Sequence, residues 1–121
     1  GEVHNCVIGS GVTIGEGTVV KDSIIMKDVS IGKGCVIDKS IIAENCEIGD
    51  NVTFGIGSDV PNKLKPAVYS FGLVTVGENS VIPGQVQIGK NTAISGVTSK
   101  EDYPNGILES GETLIKAGER A

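Results

Sequence analysis

The stretch IGKGCVIDKSIIAENCEIGDN, residues Ile31 to Asn51, decides the fold. It opens on Ile-Gly, a charged residue and Gly, and closes on Ile-Gly, a charged residue and Asn, with the two isoleucines at positions 31 and 48. Set in rows of that period, the chain from Val3 repeats: VHNCVIGSGVTIGEGTV (3–19), VKDSIIMKDVSIGKGCV (20–36), IDKSIIAENCEIGDNVT (37–53). Val3, Val20 and Ile37 share a column. So do Ile8, Ile25 and Ile42, and then Ile14, Ile31 and Ile48, each of these last three followed by glycine.

A fixed period of this length marks a solenoid in which each repeat packs only on its neighbours. Each row divides into three sides, opening in the second row at Val20, Ile25 and Ile31, and each side opens on an aliphatic residue. Three sides per turn predict an all-β, single-stranded parallel β-helix of triangular cross-section. Each short strand should lie parallel to the one in the next row, about 4.8 Å away. The opening aliphatics should stack inward, each contributing roughly 1.5–3 kcal/mol when fully buried. Small residues such as Thr18, Cys35 and Val52 should fill the rest of the narrow core. Gly17, Gly34, Asn51, Asn79 and Asn91 are expected at corners, where the backbone needs positive φ. The spacing leaves handedness open, and general crossover chirality would favour a right-handed path.

The pattern breaks at FGIGSDVPNKLKPAVYS (54–70), which carries Pro61 and Pro66 in place of the aliphatic columns. Proline removes a ladder donor, so residues 57–70 are expected to leave the solenoid as a loop after the coils of 3–56. The pattern resumes as VGENSV, IPGQVQ and IGKNTA from Val76, giving further coils over 71–98. The tail 99–121 loses the period. Ile107-Leu108, a turn near Ser110-Gly111, and Leu114-Ile115 predict a hairpin capping the open end.

Composition narrows the function. The net charge is −5, against the basic footprint of a nucleic-acid binder. No run of about 18 apolar residues is present to span a bilayer, and no basic-then-apolar leader is visible. A cytoplasmic setting is expected. The start at Gly1 suggests a piece of a longer protein. Three cysteines without CxxC spacing give neither a disulfide framework nor a zinc site. Their columns hold Ser23 and Ser40 beside Cys6, Thr18 and Val52 beside Cys35, and Val12 and Val29 beside Cys46, as for core filler.

The glycines are read as turns rather than as a phosphate cradle. Gly9, Gly11 and Gly15 do not match the dinucleotide fingerprint, and no helix follows them to hold a phosphate at its N-terminus. His4 is the only histidine. One histidine cannot supply a three-histidine metal site, so no metal is expected. Its column partners Lys21 and Asp38 place it toward solvent. On the proline-stiffened loop, Lys63 and Lys65 are the candidate anion contacts.

The segments SIIMKDVSIGKGCVIDKSIIAENCEIGDNV and SFGLVTVGENSVIPGQVQIGKN resemble the C-terminal domain of ADP-glucose pyrophosphorylases, the glucose-1-phosphate adenylyltransferases. The paired Ser-Ile-Ile motifs at 23–25 and 40–42 and the GLVTV…VIPG segment at 72–84 carry the resemblance, which covers Val3 to Ile94. It implies the left-handed form of the β-helix. It also implies a parent that transfers AMP from ATP to glucose 1-phosphate with Mg²⁺, through a separate N-terminal nucleotidyltransferase domain. The β-helix would serve assembly, as a tetramer in the family, and effector binding. This chain lacks the GGxGxRL loop of that catalytic domain, so it carries no catalytic residue and no cofactor of its own. In related plant enzymes effector-binding lysines occupy positions similar to Glu44 and Glu78, and a carboxylate cannot replace them. Two other readings stay open. One is a hexapeptide acyltransferase using His4, and the other is the C-terminal domain of a different sugar-phosphate nucleotidyltransferase, such as a mannose-1-phosphate guanylyltransferase.

Overall fold

The computed structural model describes residues 2–57, 60, 62–63 and 72–116. They form an all-β parallel solenoid of about six turns with three faces. The first face stacks Glu2–His4, Val19–Lys21, Val36–Asp38, Thr53–Ile56, Gln87–Gly89 and Ile107–Leu108. The second stacks Val7–Ile8, Ile24–Ile25, Ser40–Ile42, Val74–Val76, Thr92–Ser95 and Thr113–Ile115. The third has four strands, Thr13–Ile14, Ser30–Ile31, Glu47–Ile48 and Val81–Ile82. Every pairing is parallel, and the register in the first coils is that of the sequence row, as in Val3↔Val20 and Val20↔Ile37. The left-handed hexapeptide form fits this architecture.

The columns predicted from the rows are the core. Val20, Ile37, Phe54 and Ile88 line one inner edge, and Ile25, Ile42, Val76 and Ile94 a second. Ile31, Ile48 and Ile82 line the third. A one-residue slip would turn each of these outward, so burial fixes the register. Thr18, Cys35 and Val52 are fully buried between them. Polar side chains inside this narrow core are satisfied along the axis. Thr18 Oγ1 donates to Gly32 O at 2.6 Å and accepts from Cys35 N at 3.0 Å. Ser23 Oγ likewise accepts from Ser40 N at 3.0 Å.

The corners are left-handed. Gly17, Gly34, Asn51, Asn79 and Asn91 have φ of 77°, 66°, 57°, 58° and 57°. Asparagine adds a contact that glycine lacks: Asn45 Nδ2 donates to Asn79 Oδ1 of the next coil at 2.7 Å. The glycines after the third-face isoleucines have a different cause. A β-carbon on Gly15 would lie 2.5 Å from Gly32 O, and one on Gly49 would meet the backbone nitrogen of Gly84. These positions are glycine because neighbouring coils touch backbone to backbone.

One feature agrees with the row reading and one departs from it. First, the interruption after Ile56 is in phase with the repeat. Val74–Val76 pairs with Ser40–Ile42, which stands two full rows earlier, so the excursion consumes one row and returns to the same column. Second, the tail is not a hairpin. Ile107–Leu108 pairs parallel with Gln87–Ile88 on the first face, and Thr113–Ile115 pairs parallel with Ala93–Ser95 on the second. They are two sides of one more coil, and Gly111 (φ 82°) turns the corner between them. The fixed row misses this coil because the step from Gln87 to Ile107 is longer than a row. On the third face only Val97 continues the ladder, by a parallel bridge to Val81, and short 3₁₀ turns at Lys100–Asp102 and Pro104–Gly106 then lengthen the path to Ile107. Tyr103, between those turns, is 2% exposed and belongs to the core cluster. Its hydroxyl pairs with Thr98 Oγ1 at 2.8 Å. Burial pushes the Tyr103 phenol up to about 12.

Candidate functional site

Of the loop expected over 57–70, the described residues are Gly57, Val60, Asn62 and Lys63. This part of the excursion is held at its root by two buried asparagines. Asn62 Nδ2 donates to Asn91 O at 2.9 Å and to Thr113 Oγ1 at 3.1 Å. Asn91 Nδ2 donates to Val60 O at 2.7 Å, and Asn91 Oδ1 accepts from Gly72 N at 2.8 Å. Both sides of the excursion therefore fasten to one corner, and Asn62 extends the fastening to the last coil. Asn91 is thus a corner whose side chain also organises the excursion. The repeat identifies Asn91 only as a corner, and nothing in it singles out Asn62. The available signal is an asparagine flanked by proline and lysine in an otherwise polar segment, which is too common to mark a buried residue.

Lys63 sits beside this latch. Its backbone N–H donates to Gly111 O at 2.8 Å, and its exposed Nζ pairs with the Glu112 carboxylate. The hydrogen bond to Glu112 holds the Lys63 ammonium above the usual lysine value. Its charge is already matched within the chain, which weakens it as a free anion contact. Lys65 lies outside the described residues. A cleft of about 380 Å³ opens between the excursion and the last coil, lined by Ile56, Gly57, Val60, Ile107, Glu109 and Ser110. Its apolar walls and single carboxylate do not suit an anion.

The other candidates stand apart from this region. His4 is exposed on the first coil, with Nε2 3.2 Å from Glu2 Oε1. Cys35 is buried, and burial raises its thiol above the ordinary value, which disfavours the nucleophilic thiolate. Glu44 faces Lys27 at 4.0 Å and Glu78 is exposed. Asp38 Oδ1 is buried without a hydrogen-bond partner among the described residues. Among these residues no group of three His, Cys, Asp or Glu side chains could hold a metal ion. No helix among them is long and apolar enough to cross a membrane.

Fold and corner chemistry together define a hexapeptide-repeat β-solenoid domain. Within that class, residues 3–61, just under half of the chain, match the family model for the GMPPB C-terminal domain, the C-terminal domain of a sugar-phosphate nucleotidyltransferase family. No curated protein matches the chain. Among solved structures, a hexapeptide transferase family protein from Anaplasma phagocytophilum is similar at 20% identity, with a TM-score of 0.34. The similarity covers 96% of this chain, which spans 64% of that structure.

Proposed function

We propose that this chain is the assembly and regulatory β-helix domain of a glucose-1-phosphate adenylyltransferase, with the catalytic nucleotidyltransferase domain elsewhere in the parent. The single observation that carries the reading is the match of residues 3–61 to a sugar-phosphate nucleotidyltransferase C-terminal domain. The GLVTV…VIPG segment at 72–84, which that match does not reach, favours the adenylyl branch by resemblance. The parent would use ATP and Mg²⁺ in the cytoplasm to make ADP-glucose for glycogen synthesis, and this domain would supply neither metal ligand nor catalytic group. The description of the matched family keeps a second sugar-phosphate nucleotidyltransferase, such as a mannose-1-phosphate guanylyltransferase, as the alternative.

The test compares this chain with the full-length parent. The parent should form ADP-glucose from ATP and glucose 1-phosphate, and this chain alone should form none. Preference of the parent for GTP and mannose 1-phosphate would replace the adenylyl reading with the alternative. Turnover by this chain alone would overturn the whole assignment. Acetyl-CoA binding abolished by His4→Ala would instead support an acyltransferase.

The assembly role has its own basis. Glu2–His4, Val7–Ile8 and Thr13–Ile14 end the three faces with one strand edge unpaired among the described residues, and Val3 and Ile8 are 44% and 37% exposed. Open strand edges beside apolar side chains favour association. Sedimentation of this chain should show concentration-dependent oligomers, and a monomer at all concentrations argues against this role for the first coil.

A further inference from the structure

We propose that the second face of the solenoid is a docking surface for a second copy of this chain, which packs on it with its coils in the opposite order. The six strands of this face hold no charged residue, whereas Glu2, Lys21 and Asp38 stand in first-face strands and Glu47 in a third-face strand. Two columns point outward from the second face. One runs Val7, Ile24, Ile41, Thr75, Ala93 and Thr113 through the strand pairings. The other runs Gly9, Met26, Ala43, Gly77, Ser95 and Ile115, set by the backbone hydrogen bonds that continue past the strand ends. Val7 and Ile115 are 65% and 67% exposed, and Ile24 and Met26 are exposed as well. Parallel sheets are normally packed on both faces, so aliphatic columns open to solvent on one mark an interaction surface.

The face is bulky at one end and small at the other, so it complements a reversed copy of itself. Its second coil presents Ile24 and Met26, and its fifth presents Ala93 and Ser95. A depression of about 240 Å³ lies in the small half, lined by Thr75, Gly77, Ala93, Ile94, Ser95 and Ile115. A two-fold axis along the strand direction, between Ile41 and Thr75, reverses the coil order and sets each column against its own copy. Ile24 and Met26 then stand over Ala93 and Ser95 of the other copy, at the depression. Val7 meets Thr113, and Gly9 leaves room for Ile115. Each larger residue meets a smaller one, and the symmetry repeats every contact, as an isologous interface requires. A parallel pair would instead set Ile24 against Met26 and Ala93 against Ser95, bulk on bulk and gap on gap. Strands about 4.8 Å apart and a side of roughly five residues at about 3.3 Å give six strands a face of roughly 500 Å². Two such faces bury about 1,000 Å², the lower limit for a specific interface and the size of a weak dimer. This contact is separate from the open strand edges of the first coil, and it stands whichever nucleotide the parent uses.

The experiment measures sedimentation equilibrium of the full chain and of its variants. A reversible dimer is expected. Ile24→Lys and Ile115→Lys, toward opposite ends of the face, should each weaken it about tenfold, because each places a charge in an apolar contact. Val36→Lys, at an exposed position of the first face, should leave it unchanged. Orientation is read by mixing chains that carry Met26→Cys with chains that carry Ser95→Cys under oxidised glutathione, both in a Cys6→Ser background. A disulfide between the two kinds of chain is expected, and Met26→Cys by itself should give none. Cross-linking of Ile24→Cys to Met26→Cys in its place would show parallel copies and overturn the arrangement. A monomer at every concentration, a dimer indifferent to Ile24→Lys and Ile115→Lys, or equal weakening by Val36→Lys overturns the proposal. Backbone amide spectra of each variant establish that the solenoid is folded.

Discussion

Asn62 and Asn91 are joined by an Nδ2–H···O bond of 2.9 Å, and both side chains are almost wholly buried. This bond fastens the excursion to the first-face corner of the coil that follows it. It is a covering contact rather than a catalytic one. Replacing Asn62 with Ala should leave Asn91 O and Thr113 Oγ1 short of a buried donor, costing about 2–6 kcal/mol at 1–3 kcal/mol per unsatisfied group. Urea denaturation checks the magnitude. A loss below about 0.5 kcal/mol would mean that water replaces the amide at the latch without penalty.

The coil-to-coil glycines should separate by cause. Gly49→Ala places a β-carbon on the backbone of Gly84, where nothing flexible can yield. Gly17→Ala meets nothing closer than 3.9 Å, and its cost is the positive φ alone. The second variant should lose about 1–2 kcal/mol and stay folded. The first should be far less stable or insoluble. Thermal melts of the two, side by side, decide it, and equal losses would refute the steric account.

Thr18 tests the polar ladder in the core. Thr18→Val preserves shape but strands the amide of Cys35 and the carbonyl of Gly32. With two groups stranded, the loss should be about 2–6 kcal/mol. Amide hydrogen exchange at Cys35 should accelerate more than exchange at Val52, whose N–H faces the Cys35 sulfur at 3.5 Å.

The last coil should be acid-sensitive through Asp102. The Lys116 ammonium, at 2.8 Å, and the Ser99 backbone N–H hold its carboxyl below the ordinary value. A carboxylate depressed in the folded state adds stability that is present above its unfolded value, about pH 4. That stability is lost as pH falls through the lower folded value. Asp102→Asn should therefore flatten the acid limb of Tm against pH while lowering Tm at neutral pH. A parallel shift of the whole curve would show that Asp102 does not titrate there.

The site is less legible in the sequence than the fold. Lys63 looks available because the residues around it are prolines, an asparagine and another lysine. Its partner, Glu112, lies in the distant last coil, and no local pattern announces that pairing. Asn62, the most buried of the described residues of the excursion, sits in the segment where the period fails.

The sequence by itself determined the solenoid, its three faces and the inner columns from Val20 to Val52. A repeated row states the same nearest-neighbour contact again and again, and a strand's period of two leaves one register that buries the aliphatics. Only the tertiary structure decided that the tail adds a coil whose step is longer than a row. It also decided that two buried asparagines close the junction. Those outcomes depend on single contacts between distant segments. Their energies come from buried hydrogen bonds and close packing that exist only once both segments are in place.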